Sequence, residues 1–176
     1  SYGVGPILNL SALGPDGKFS SDLGKQLLQS PQLWPGLAEQ ILENMQAKGY
    51  VGLDVDFEFL PREVGEDYVA FIAFLRSFFN AYGYFVMVAL PPKTSDEQPG
   101  LLYEGFDYRA LGQAADFGLV MAYEWGYTSG PPMAVSPLPQ VREVLEYAVE
   151  RIPPGQLVLG MPNYGYDFVL PYVPGE

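Results

Sequence analysis

Three carboxylates alternate along one apolar stretch of the chain. In GYVGLDVDFEFLP, residues 49–61, Asp54, Asp56 and Glu58 occupy every second position. Because side chains alternate across a strand, the three acids are predicted to share one face and to leave the other face apolar. The predicted apolar face carries Leu53, Val55, Phe57 and Phe59. Neighbouring carboxylates resist ionising together, so this arrangement can hold a proton near neutral pH.

An alternating strand can also be an ordinary half-exposed antiparallel strand with its polar face in water. Two features disfavour that alternative. No Lys or Arg interrupts the acidic set between Gly49 and Pro61, although like charges on one face repel. The stretch also lies between two helical patterns, which predicts a parallel strand covered on both faces. In such a strand, three carboxylates fit only at the mouth of a barrel or at a site at the strand's carboxyl end.

The composition leaves carboxylates and tyrosines to perform any chemistry. The 176 residues include neither His nor Cys, which excludes Ser-His and Cys-His nucleophiles, the usual zinc sites and disulfides. We expect no resident metal and no cofactor. The net charge of −12 argues against nucleic acid or anionic lipid as a partner. No apolar run approaches the roughly 20 residues of a membrane span.

Short apolar runs alternate with longer helical patterns along the chain. The predicted strands are residues 5–11, 51–59, 84–90, 117–123 and 156–162. The predicted helices cover residues 22–30, 35–49, 66–83, 108–115 and 138–152. This regular alternation predicts an α/β fold of one domain, residues 1–176, with parallel strands joined by right-handed crossovers.

The alternation fits either a doubly wound sheet or part of a (β/α)8 TIM barrel. Neither the GxGxxG turn nor the GxxxxGK[ST] turn of a nucleotide-binding sheet occurs. Polar residues instead follow several different strands, which is the barrel arrangement. They are Asn9, the acidic triplet, Lys93, the YEW of residues 123–125 and the NYGYD of residues 163–167. Two long loops, 91–107 and 124–138, are rich in Pro, Gly and Ser and are predicted to bind substrate.

Three motifs, in order along the chain, resemble those of one enzyme family. GLDVDFE at 52–58 resembles the DxxDxDxE motif of family 18 glycoside hydrolases, the chitinase-like (β/α)8 barrels. MAYEWGY at 121–127 resembles the family's MxYD strand, and GMPNYGYDF at 160–168 resembles its GxPxYG strand. The stretch 123–149 is similar to the YaaH-like and SleL-like spore cortex-lytic N-acetylglucosaminidases of that family.

The resemblance implies hydrolysis of β-1,4-linked N-acetylglucosaminyl bonds in spore cortex peptidoglycan or chitin-like glycans. It also implies that the configuration at the anomeric carbon is retained, because the substrate's own acetamido oxygen attacks that carbon. Glu58 matches the family's general acid, and Asp56 on the same face would help to keep it protonated. Asp56 would also accept the acetamido N–H, while Tyr123 would donate to the acetyl oxygen. Asp54 would tune Asp56 through a shared proton.

Candidate substrate-binding residues follow the strands. Sugar rings present flat C–H faces that stack on aromatic side chains, although core packing is the alternative for each aromatic residue. The candidates are Asn9, Lys93, Glu124, Trp125, Tyr127, Asn163, Tyr164 and Tyr166. Trp34 lies inside a helical segment and is predicted to pack in the core. Two positions depart from the family motifs, since Val51 replaces the first Asp of DxxDxDxE and Glu124 replaces the Asp of MxYD.

Two other functions stay open at this point. A barrel remnant could bind a glycan or a partner protein without hydrolysing anything. Clustered carboxylate oxygens could also bind Ca²⁺ or Mg²⁺, although carboxylates on one strand lack the chelating turn of a dedicated site.

The predicted strands are too few to close a barrel. A complete barrel of this type needs about 250 residues, so we expect an incomplete domain that lacks the family's first two strands and its last. Its edge strands would pair with another chain or a second copy, or the chain would belong to a longer protein. The resemblance implies a polysaccharide substrate and a location outside the cytoplasm, at the cell wall or spore. The opening SYGVGPILNL has no signal-peptide pattern, so any signal peptide would have to lie upstream of this chain.

Overall fold

The computed structural model describes residues 3–128 and 130–172. Its centre is a parallel sheet of five strands that lie side by side in chain order. The strands are β1 (Ile7–Ser11), β2 (Gly52–Asp56), β3 (Phe85–Leu90), β4 (Phe117–Val120) and β5 (Leu157–Leu159). Helical segments connect each strand to the next, which is the arrangement expected of a partial (β/α) barrel.

Within the described residues, the α-helices are α1 (Ser21–Leu28), α2 (Trp34–Lys48), α3 (Gly65–Asn80), α4 (Tyr108–Ala114) and α5 (Leu138–Val149). Short 3-10 turns cover Pro31–Leu33, Arg62–Val64 and Pro154–Gln156.

Local signals set several helix ends. The Ser20 side chain accepts the N–H of Leu23 at the start of α1, and Gly49, with a φ of 72°, ends α2 in the left-handed conformation. None of the helices in this part of the chain is long and apolar enough to cross a membrane.

The apolar face of β2 packs against the helices that cover the sheet. Leu53, Val55 and Phe57 are buried. The Phe57 ring stacks on the rings of Tyr68 and Phe71 in α3, with centroids 5.8 and 5.9 Å away. Because residues alternate along the strand, the acidic positions of β2 face the opposite side of the sheet.

Three strands, β2, β4 and β5, each end three residues earlier than predicted, whereas β1 and β3 end at the predicted residues, Ser11 and Leu90. Pairing of β2 with β1 stops at Asp56, so Glu58 lies beyond the strand rather than within it. Phe59 then adopts a left-handed φ of 57°, and its side chain is 38% exposed instead of joining the buried apolar face. The prediction for Phe59 is therefore wrong. A period-two pattern can continue into a loop, because it does not specify where the last hydrogen bond forms.

The sheet has two open edges within the described residues, because β1 and β5 each pair with a single neighbour. Apolar side chains are exposed at both edges. Ile7 on β1 is 40% exposed, and Val158 and Leu159 on β5 are 40% and 38% exposed.

Candidate active site

The acidic residues are held at the carboxyl end of β2. Asp54 is only 8% exposed, whereas Asp56 and Glu58 are partly buried. Asn9 lies opposite Asp54 in the register of β1 and β2 and donates its side-chain N–H to Asp54 Oδ2 at 2.9 Å. The Ser11 hydroxyl donates in turn to Asn9 Oδ1. Through these two side chains, β1 orients the inner carboxylate of β2.

Burial raises the pKa of all three acids. The pKa of Asp54 rises to about 6, because burial outweighs the hydrogen bond from Asn9 and the Asp56 charge adds to the rise. The pKa of Asp56 is also raised by burial, against an opposing effect of Asn9. The pKa of Glu58 rises to about 7, through burial first and the Asp56 carboxylate second. Glu58 can therefore hold a proton near neutral pH, and removal from water contributes more than the neighbouring charge does.

One oxygen of each inner carboxylate is buried without a hydrogen-bond partner among the described residues. These atoms are Asp54 Oδ1 and Asp56 Oδ1. An ionised carboxylate oxygen in such a position is costly because nothing replaces its lost water. Protonation of one of the two carboxyl groups would reduce that cost, in agreement with the raised pKa of both.

Glu58 lines a cavity of about 240 Å³ at the carboxyl end of the sheet. The lining residues are Glu58, Phe59, Pro92, Leu102, Tyr103, Met121, Tyr123, Glu124 and Trp125. Burial, followed by the charges of the nearby carboxylates, raises the pKa of Tyr123, so its hydroxyl keeps its proton and can donate it in a hydrogen bond. The cavity thus combines an acid, a phenol donor and aromatic walls.

Two tyrosines from the segment after β5 hold the Glu124 side chain. The Tyr164 hydroxyl donates to Glu124 Oε1, and the Tyr166 hydroxyl lies 3.0 Å from the same oxygen and 3.2 Å from Oε2. These hydrogen bonds to Glu124 raise the pKa of both phenols. Glu124 has a φ of 67°, a left-handed conformation that is uncommon for residues other than Gly. The contacts fasten the segment after β5 to the cavity wall.

Backbone pairing within the loop after β4 positions Trp125. Its N–H donates to Val135 O at 3.1 Å, and the N–H of Gly126 donates to Ala134 O at 3.1 Å. A Cβ at Gly126 would lie 2.0 Å from Met133 O, so the two arms of the loop can approach this closely only with Gly at this position. The Trp125 ring packs on the core and lines the cavity.

The structure brings together four of the predicted site residues. Glu58, Tyr123, Glu124 and Trp125 all line the cavity. Outside this lining are Asn9, Asp54, Asp56, Asn163 and Tyr164. Tyr164 contacts Glu124, and Asn9 contacts Asp54. Asn163 is exposed. The functional roles of these residues remain predictions.

The sequence did not single out five of the lining residues as site residues: Phe59, Pro92, Leu102, Tyr103 and Met121. Leu102 and Tyr103 belong to the 91–107 loop, which was predicted to bind substrate. An aromatic residue in a long loop after a strand was the available signal for Tyr103. Phe59 was assigned to the opposite face, because strand alternation cannot indicate a left-handed turn.

Three candidates outside the acidic triplet have clear structural outcomes. Lys93 is only 3% exposed and donates to backbone carbonyl groups, so it does not reach the cavity surface. Tyr127 is 45% exposed and lies outside the cavity lining. Trp34 packs as predicted, with its ring 5.2 Å from that of Phe71 and its N–H donating to Leu27 O at 2.9 Å.

The arrangement suits proton transfer to a bound group beside an aromatic wall. Glu58 can hold a proton near neutral pH, Tyr123 can donate a hydrogen bond as a neutral phenol, and apolar side chains form part of the lining. In residues 3–128 and 130–172, no three His, Cys, Asp or Glu side chains are grouped so that they could hold a metal ion.

Comparisons with known proteins give consistent matches. The family model described as Glycosyl hydrolases family 18 matches residues 18–172. The cortical fragment-lytic enzyme of Bacillus subtilis (strain 168) is 43% identical over 157 residues, which are 89% of this chain and 36% of that protein.

Solved structures show the same likeness. The spore cortex-lytic enzyme SleL of Bacillus megaterium QM B1551 matches with a TM-score of 0.90 and 38% identity, over 97% of this chain and 38% of that one. A chitinase from Chromobacterium violaceum ATCC 12472 matches with a TM-score of 0.83 and 28% identity, over 92% of this chain and 50% of that one. The chain thus spans half or less of the length of these relatives. The likeness confirms the predicted barrel class, of which the described sheet is a five-stranded part.

Proposed function

The chain belongs to the glycosyl hydrolases of family 18, and we propose that it hydrolyses β-1,4-linked N-acetylglucosaminyl bonds by a retaining mechanism in which the substrate assists. The substrate would be peptidoglycan of the spore cortex or a chitin-like glycan. Relatives that are described as cortex-lytic and as a chitinase support these two substrate classes. The observation that carries the proposal is Glu58 at the cavity wall, with its pKa raised to about 7.

In this scheme Glu58 is the general acid. It gives its proton to the glycosidic oxygen as the bond from that oxygen to the anomeric carbon breaks. The acetamido oxygen of the substrate attacks the same carbon and forms an oxazolinium ion, so no second carboxylate is needed as nucleophile. The ionised Glu58 then takes a proton from the water that opens this ring, which restores the acid and retains the configuration. The scheme uses no cofactor.

Asp56 and Tyr123 would position the acetamido group through two hydrogen bonds, one accepted by Asp56 and one donated by Tyr123. A carboxylate at Asp56 accepts the acetamido N–H, while the Tyr123 hydroxyl donates to the acetyl oxygen. The raised pKa of Tyr123 supports its role as a donor, because the phenol stays neutral. Asp54, with a pKa of about 6, would share a proton with Asp56. When Asp54 takes that proton, Asp56 is left ionised and carries the negative charge opposite the developing oxazolinium ion.

The remaining polar and aromatic residues would bind the glycan. Trp125 offers an apolar ring to a sugar face, and Glu124 offers a carboxylate to sugar hydroxyl groups. Tyr164 would act on the glycan through its hydrogen bond to Glu124. Direct sugar contacts of Asn163 and Asn9 are the least supported, since Asn163 is outside the cavity lining and the Asn9 amide is used by Asp54.

Mass analysis of products tests the proposed bond and substrate. The full chain is incubated with purified spore cortex and, separately, with N-acetylglucosamine oligomers. We expect fragments with N-acetylglucosamine at the new reducing end from at least one of the two. Product masses also distinguish release from chain ends from internal cleavage. Intact substrates in both reactions would contradict the proposed activity.

A glycan-binding module without hydrolysis is the second candidate function. It is favoured by the incomplete barrel, because the described strands form an open five-stranded sheet. Calorimetric titration with an N-acetylglucosamine oligomer would support this candidate if the oligomer bound and mass analysis found no product. A pure binder would have no need of an acid with a pKa near neutrality.

The proposed substrates lie outside the cytoplasm, in the spore cortex or the cell wall. The cortex-lytic relatives support that location. A strand-completing second chain or second copy remains a proposed partner, since both edges of the described sheet are open.

A further inference from the structure

The Lys93 ammonium group lies inside the loop that connects β3 to α4. The residue is 3% exposed, and its Nζ donates to the carbonyl oxygens of Asp96, Tyr103 and Phe106 at 3.2, 3.3 and 2.9 Å. An ammonium group has three N–H donors, so all of them are used. Lys93 therefore has no donor left for a sugar or any other ligand.

The three carbonyl groups come from separate points of the same loop. They follow Lys93 by three, ten and thirteen residues. The Lys93 ammonium group thus binds both the first half of the loop, at Asp96, and the part near its end, at Tyr103 and Phe106. Burial lowers the pKa of Lys93, and the charges of nearby Asp and Glu residues oppose that effect. Without the cation, Phe106 O would lose a donor in a buried place, and Asp96 O and Tyr103 O would each lose one in a partly buried place, which is unfavourable.

A second set of contacts fastens the same loop from outside. Arg151 donates to both carboxylate oxygens of Asp96, at 2.9 and 2.8 Å, and the Tyr147 hydroxyl donates to Asp96 Oδ1 at 2.8 Å. The Arg151 guanidinium also lies over the Tyr147 ring, 3.7 Å from its centroid. The Asp96 side chain is therefore held by Tyr147 of α5 and by Arg151 just after that helix, and its backbone is held by Lys93.

The fastened loop forms one wall of the candidate cleft. Pro92, Leu102 and Tyr103 line the cavity next to Glu58. The carbonyl group of Tyr103 accepts from Lys93, so a residue that lines the cavity is itself held by the buried cation. A sugar in contact with Tyr103 would meet a surface that is already in place before binding.

We propose that Lys93 is a positioning residue that holds Tyr103 as a preformed wall of the cleft and thereby sets the affinity for the glycan. This inference rests on the proposed function. The effect of Lys93 passes through Tyr103 and not through the Glu58 proton, so it concerns binding of the sugar rather than proton transfer.

The kinetic test uses Lys93→Met, Tyr103→Ala and the double variant in the full chain, with an N-acetylglucosamine oligomer as substrate. We expect each single change to raise KM about tenfold, because a displaced wall loses its contact with the sugar. The double variant should show no further rise, since both changes remove the same contact. The pH profile of kcat should not move.

An unchanged KM, or effects that multiply in the double variant, would overturn the proposal. A general loss of folded protein would lower kcat and leave KM unchanged.

Hydrogen exchange gives a readout that does not need turnover. The amide groups of Tyr103, Glu104 and Phe106 donate within the loop, to Gly100 O and to Tyr103 O. They should exchange faster in Lys93→Met, whereas Lys25→Met, which removes an exposed ion pair with Glu63, should leave them unchanged. Unchanged exchange in Lys93→Met would contradict the role of Lys93 even if the chain hydrolyses nothing. Turnover absent from the wild type would contradict the proposed function alone.

Lys93→Gln covers the case in which Lys93→Met does not fold. The Gln amide has two N–H donors instead of three, so at least one of the three carbonyl groups loses its donor. It should raise KM in the same direction, and Tyr103→Ala should add nothing further in the combined variant. An unchanged KM in Lys93→Gln, together with wild-type exchange rates in the loop, would contradict the proposed wall.

Discussion

Removal from water raises the pKa of the two acids on β2, Asp54 and Asp56, and of Glu58 just beyond that strand. Burial is the largest cause of the raised pKa of Asp54, Asp56 and Glu58, and the charges of neighbouring carboxylates come after it. The alternating sequence pattern predicted mutual repulsion and placed less weight on burial. Sequence could identify Glu58 because its motif is specific, but the depth of a carboxyl group depends on side chains from distant strands and loops.

The raised pKa of Glu58 predicts a pH-dependent gain in stability for Glu58→Gln. The folded-state pKa of about 7 lies above the ordinary value of 4.5. The stability that Glu58 contributes is therefore fully present below the ordinary value and is lost as the pH rises through about 7. Gln does not titrate, so the Tm of the variant relative to wild type should rise between about pH 5 and pH 8. Calorimetry across that range provides the measurement.

Glu63→Gln serves as the control of opposite sign. A hydrogen bond from Lys25 lowers the pKa of Glu63, so its contribution is present at neutral pH and is lost as the pH falls. A Tm difference for Glu58→Gln that does not depend on pH would contradict the account of its environment.

At the scale of elements, sequence predicted which segments form strands and helices better than where they end. Gly49 ended α2 as expected, because a glycine can take the left-handed conformation that stops a helix. The ends of the strands were not predictable in this way. Phe59 and Glu124 adopt left-handed φ values without being Gly, and both line the cavity. Surrounding contacts such as that between Tyr164 and Glu124, which are 40 residues apart in sequence, enforce such conformations.

Gly126→Ala should impair the site through the loop after β4. The new Cβ would meet Met133 O at 2.0 Å, so the pairing that positions Trp125 and Glu124 must open. We expect kcat/KM on a chromogenic N-acetylglucosaminide to fall at least about tenfold, with a lower Tm.

Gly36→Ala provides the matched control. A Cβ at Gly36 in α2 would meet nothing within 4 Å, and Ala favours a helix over Gly by up to about 1 kcal/mol. Activity should stay unchanged and Tm should not fall. Equal activity of the Gly126 variant and this control would contradict the loop's positioning role.

At the scale of the whole molecule, the sequence pattern was sufficient for the fold class and the order of the strands. Alternating strands and helices allow few topologies, and the absence of a nucleotide-binding turn favoured the barrel. The path of the 91–107 loop could not be foreseen. A lone Lys after a strand suggests a ligand contact. Lys93 instead donates hydrogen bonds to three backbone carbonyl groups, which come close to it only when the loop is folded.

The open edges predict that the 176-residue chain associates when it is produced alone. Among the residues that the structure describes, β1 and β5 present unpaired backbone groups beside exposed apolar side chains such as Ile7 and Val158. Light scattering should find oligomers or aggregates at low concentration. Val158→Lys should reduce them, because a charge on an edge strand opposes strand addition.

Leu23→Lys is the control for a general gain in charge, since Leu23 is 44% exposed and belongs to helix α1 instead of an edge strand. It should leave association unchanged. A monodisperse folded monomer of 19.4 kDa would show that the edges do not recruit another strand.

The central claim is that Glu58 donates the proton that breaks the glycosidic bond, and turnover of an N-acetylglucosamine oligomer by Glu58→Gln tests it most directly. Gln keeps the shape of the side chain and cannot donate a carboxylic proton. The account predicts that kcat falls by about 100-fold to 10,000-fold, while circular dichroism and oligomer binding match the wild type. Glu63→Gln, at an exposed position, should retain full turnover. Turnover of Glu58→Gln at the wild-type rate would contradict the claim.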